Sequence, residues 1–114
     1  MPLAGEFKDL LAERARSDPE FRRITLERSA GNLLNGELYD AALALRTVVA
    51  GGVGFEALAE ALGGSPAEWE RTLGPDGPHT AGDLRAVVEH VGRADGLSFE
   101  VTGVQAAQAE AVPA

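Results

Sequence analysis

Residues that start or stop helices recur along this chain at intervals that leave room only for short helices. Asp18-Pro19, Asn35-Gly36, Gly51-Gly52, Gly63-Gly64-Ser65-Pro66, Gly74-Pro75-Asp76-Gly77-Pro78 and Thr80-Ala81-Gly82-Asp83 divide it. Each cluster interrupts for a physical reason. Asp, Ser and Thr side chains accept from the orphan N–H groups of a first turn, and Pro fits the first helical position because no hydrogen bond is lost there. Gly and Asn tolerate the left-handed conformation that closes a last turn.

Between these breaks the apolar residues follow a helical period. Phe7, Leu10, Leu11 and Ala15 predict a first helix from about Gly5 to Arg16. Asp18 caps a second, with Glu20 near its positive dipole end, that buries Phe21, Ile24, Leu26, Ala30, Leu33 and Leu34. Gly31 costs this helix about 1 kcal/mol relative to alanine, so it marks either a close helix approach or a shorter segment. Leu38, Ala42, Leu45 and Val49 define a third helix that stops at Gly51-Gly52, and Phe55, Leu58, Ala59 and Leu62 a short fourth. Ser65-Pro66-Ala67-Glu68 reads as a capping box opening a fifth, which should bury Trp69 and Leu73. Thr80 and Asp83 cap a sixth carrying Leu84, Val87, Val88 and Val91 and ending near Arg93.

After Asp95-Gly96 the alternation in Leu97–Val101 predicts a short strand, which needs a partner that a symmetry mate could supply. Residues 103–114 have small and polar side chains without a strong apolar stripe, and are expected to be a mobile tail. A chain of 114 residues, 45% hydrophobic and without cysteine, must stabilise one core by packing alone. The expected fold is therefore all-α: one compact domain over residues 1–102, of about six helices, with a short C-terminal strand.

The fourth and fifth helices are both short, joined by a tight glycine turn and followed by a longer helix able to support them. Ala59 is small where the two would cross, Gly63 allows the reversal, and Trp69 anchors the second helix inward. These are the requirements of a helix-turn-helix, placed at about residues 54–73. The charge runs the other way from what nucleic acid demands. The formal net charge is -8, and residues 54–93 hold three basic and seven acidic side chains.

Leu58-Ala59-Glu60-Ala61-Leu62-Gly63 resembles the first half of lambda-repressor-like helix-turn-helix motifs. Over Phe7 to about Val101 the chain resembles bacterial addiction-module antidotes and transcriptional regulators of the HigA-like kind. The resemblance is carried by Asp18-Pro19-Glu20-Phe21, Leu33-Leu34-Asn35-Gly36-Glu37, Gly54-Phe55-Glu56-Ala57-Leu58-Ala59 and the segment from Arg71 to Thr80. It implies a homodimer that represses its own operator DNA and neutralises a small basic toxin. Carried over by position, it puts Ser65, Ala67, Glu70 and Arg71 on the groove face, and His79 and Thr80 near phosphate. Members of that family tend to carry basic or amide side chains where this chain has Ala67, Glu68 and Asp76, which leaves Arg71 as the basic reader.

Other readings follow from the residues themselves. An acidic protein-interaction module that keeps the helix-turn-helix as scaffold and binds a basic partner fits the charge, and an orphan regulator without an operator fits the fold. His79 and His90 lack a two-histidine ligand spacing with Asp76 or Asp83, so no metal or cofactor is expected. No nucleophile, base and orienting group come together, which points away from catalysis. Trp69 reads as core, and Arg14, Arg16, Arg22, Arg23 and Arg28, interleaved with acids, as an ion-paired solvated face. No segment has the roughly 18 apolar residues of a membrane span and the first ten residues lack a leader pattern, so the cytoplasm is expected.

Overall fold

The computed structural model describes residues 3–106, and its helices fall between the breaks named above. They are α1 (Leu3–Ser17), α2 (Pro19–Leu34), α3 (Leu38–Gly51), α4 (Phe55–Leu62), α5 (Pro66–Thr72) and α6 (Ala81–Ala94). The Asp18 carboxylate accepts from the Glu20 and Phe21 N–H groups at 3.1 and 3.2 Å, with Pro19 in the first turn. Gly36 closes α2 with φ of 79°.

α3 is the central element and packs against α1, α2, α4 and α6. Its sequence explains this, because Ala41, Ala42, Leu45, Val48 and Val49 recur at helical spacing on one broad face and all are buried. Leu26 of α2, Leu58 of α4, Leu73, and Leu84, Val87, Val88 and Val91 of α6 complete one core. The expectation of a single all-helical core is met.

Several expected core residues lie outside it. Phe7 and Leu10 are 61% and 68% exposed, because α1 meets α3 through Ala15 rather than through its bulky residues. A Cβ on Gly51 would stand 2.5 Å from both the Ala12 carbonyl oxygen and the Ala15 Cβ. Gly51 is therefore the point where two backbones approach closely, a role the sequence suggested for Gly31. Around Gly31 a Cβ would meet nothing within 4 Å, and α2 runs through it unbroken. Ile24 and Leu34 are likewise exposed, on the outer side of α2. Ser29 is fully buried instead, its hydroxyl donating to the Leu26 carbonyl at 2.7 Å.

On the basic face of α1 and α2, ion pairs form as expected through Arg14–Asp18, Arg16–Glu13 and Arg23 with Glu20 and Glu27, whereas Arg28 makes none among the described residues. Arg22 does more. It donates to the Ala15 carbonyl at 2.7 Å and to Asp95 at 3.1 Å, tying the end of α1 and the end of α6 to α2.

Leu97–Val101 carries neither helix nor strand, since a strand needs a ladder partner and the single chain offers none. The Leu97 N–H returns to the Gly92 carbonyl at 2.7 Å, and Leu97 packs on the core. Of the expected tail, residues 103–106 are exposed and irregular, and 107–114 lie outside the described residues. Among the described residues no single helix is long and apolar enough to cross a membrane; α3 and α4 reach that length and composition only as a pair bent by 110°.

Candidate nucleic-acid interface

Two short helices with a three-residue connection form the site, and each junction has its own cause. Gly63 and Gly64 both take positive φ, 92° and 82°, which only glycine adopts without strain. The capping box then starts α5: the Ser65 hydroxyl accepts from the Glu68 N–H at 3.1 Å, and Glu68 accepts from the Ser65 N–H at 2.8 Å. Trp69 is half-buried against the core, and its indole N–H donates to the Gly63 carbonyl at 2.7 Å. One side chain thus fixes the angle between turn and helix. Ala59, buried in α4, is small as the crossing requires.

Behind α5 the turn Gly74–Pro78 folds back on the helix it follows. A Cβ on Gly77 would collide with the Arg71 carbonyl oxygen, so the turn depends on glycine at that position. His79 closes the turn, its Nε2 2.7 Å from the Gly74 carbonyl and its ring edge-on to Tyr39 at 5.8 Å. Facing a carbonyl, that nitrogen must carry the proton. Thr80 caps α6 by accepting from the Asp83 N–H at 3.2 Å.

The expected reading residues separate into two groups. Ala67, Glu70 and Arg71 are exposed on α5, whereas Ser65 and Thr80 spend an acceptor on caps and His79 is half-buried in the turn. α5 buries none of its residues fully, so its outer side is uncovered while α4 and α6 are seated in the core. That surface is acidic: Glu56, Glu60, Glu68, Glu70 and Asp76 are exposed on α4, α5 and the turn, against Arg71.

One residue of the site escaped the sequence. Arg46 of α3 reaches the far side of the turn and lines, with Arg71, Glu70, Ala67 and Asp76, a shallow depression of about 250 Å³. It is the single cation of a helix whose one other charged residue is Asp40, a weak signal that it points away from the core. Set against known family models, curated proteins and solved structures, the chain matches none of them.

Proposed function

We propose that this protein is a DNA-binding transcriptional regulator of the HigA-like kind, a homodimer that represses its own operator and acts as antitoxin to a small basic toxin. The observation that carries this is α5: short, capped at its first turn, pinned at Trp69, and uncovered along its outer side. A reading helix needs that combination, rigid placement with free side chains. Arg71 is its base or phosphate contact, Glu70 suits a cytosine amino group and Ala67 completes the exposed face, while Ser65, His79 and Thr80 hold the caps and the turn behind it.

A band shift with the protein's own promoter tests it. Complex formation at low salt, weakening steeply as salt rises, is the expected result. Arg71→Ala should weaken binding by about 1–3 kcal/mol, on the order of 5- to 150-fold. No shift even at low salt overturns the DNA assignment.

The acidic outer surface of α4 and α5 favours a second reading, a module that binds a basic protein with little or no DNA affinity. Co-expression with the neighbouring reading frame separates the two. Copurification with a small basic product, weakened by Glu60→Lys or Glu68→Lys, supports the module, and failure to copurify or to rescue growth counts against a toxin partner.

A further inference from the structure

Between α1, α3 and the α4–α5 pair lies a cleft of about 590 Å³. That volume is within the range of pockets for small organic ligands, ~300–1,000 Å³. Leu11, Leu43 and Phe55 supply apolar lining, and Phe7 and Tyr39 line it as well while remaining 61% and 51% exposed. Large apolar side chains grouped at a concave surface favour an occupant with an apolar body.

The charges along the cleft select among such occupants. Lys8, Arg16 and Arg46 face Asp9 and Glu70, an excess of cations on a protein whose formal net charge is -8. Arg16 is held by Glu13. Arg46 is half-buried and, among the described residues, makes neither an ion pair nor a side-chain hydrogen bond. A guanidinium partly removed from water beside an apolar wall, with no direct partner, gains from a carboxylate that offers it two parallel charge-assisted bonds.

We propose that this cleft binds a small amphipathic carboxylate, its alkyl or aryl body against Leu11, Leu43 and Phe55 and its carboxylate on Arg46. A basic peptide is disfavoured here by the cations and finds its complement on the acidic face of α4 and α5. Arg46, Glu70 and Pro75 line both this cleft and the depression beside Arg71, so an occupant perturbs the outer side of α5. The regulatory meaning of that link rests on the DNA assignment; binding itself does not.

The test uses the full chain without DNA, so its failure is distinct from failure of the DNA assignment. Octanoate, octylamine and 1-octanol, matched in chain length, are titrated while amide resonances are followed. Octanoate should give saturable shifts at Leu43, Arg46 and Thr47 and, across the shared wall, at Glu70 and Arg71, with affinity at least tenfold above octylamine. Arg46→Gln should weaken octanoate tenfold or more and leave 1-octanol unchanged, with partial recovery in Arg46→Lys. Ala50→Leu, which fills the cleft from α3 without altering charge, should weaken all three, and thermal melts confirm that each variant is folded. Equal affinity for the three compounds, shifts confined to other surfaces, or octanoate binding unaffected by Arg46→Gln overturns the proposal.

Discussion

Two glycines, twenty positions apart on neighbouring helices, should respond to the same substitution in opposite directions. Gly31 lies in the last turn of α2 with open space where a Cβ would go, so Gly31→Ala should stabilise the fold by about 0.5–1 kcal/mol through helix propensity. Gly51→Ala forces a methyl group onto α1 at Ala12 and Ala15 and should destabilise by about 1–3 kcal/mol. Urea midpoints of the two variants, read by circular dichroism, give the comparison. Asp18 adds a dependence on pH. The Phe21 N–H above all, with Arg14 and the Glu20 N–H, holds its carboxyl below the ordinary aspartate range against the opposing effect of partial desolvation. A pKa lowered on folding means stabilisation that is complete above about pH 4 and is lost as pH falls through the folded value. Asp18→Asn keeps a good cap that does not titrate. Its urea midpoint should therefore drop less than that of the parent between pH 7 and pH 3.

At the scale of elements, α5 has seven residues and α4 eight, far below the length at which a helix is stable alone. The capping box and the Trp69 bond hold α5 in place. Ser65→Ala should cost about 1 kcal/mol and raise hydrogen exchange selectively in α5, leaving α3 protected. The α1–α2–α6 junction depends on Arg22, whose guanidinium reaches the Ala15 carbonyl and Asp95 while only 17% exposed. Arg22→Met keeps much of the aliphatic stem and removes those bonds, so a loss of about 2 kcal/mol in chemical denaturation measures the charge-assisted contacts themselves. If Arg22→Met matches the parent, the junction is held by packing alone.

The whole molecule is organised around α3, on which four other helices rest. Leu45, fully buried at its middle, touches that shared core, and Leu45→Ala should destabilise by about 2–5 kcal/mol. Because α2 to α6 draw on one core and α1 packs on α3, unfolding should be a single transition. Far-ultraviolet circular dichroism, which reports all six helices, and Trp69 fluorescence, which reports α5, should give coincident curves. Separate transitions would show that α4 and α5 unfold as their own unit.

Helix boundaries were legible in the sequence because they are set locally. A cap, a proline at the first position and a glycine at positive φ act within four residues, and Asp18, Gly36, Ser65 and Thr80 do in the structure what their types dictate. The apolar period also identified most of the core, since Leu26, Leu45, Leu58, Leu73, Leu84 and Val91 are buried where expected. What periodicity does not contain is which side of a helix meets a neighbour closely and which faces water. Only the tertiary packing placed α1 on α3 through Ala15 and Gly51, leaving Phe7 and Leu10 outside, and kept Gly31 free of contact. The α4–α5 pair followed the same division. Its caps, turn glycines and anchor were readable residue by residue, while Arg46, which lines the same depression as Arg71, reached it from α3 across the fold. A contact between residues distant in sequence leaves no local trace, so only the packed chain could place it there.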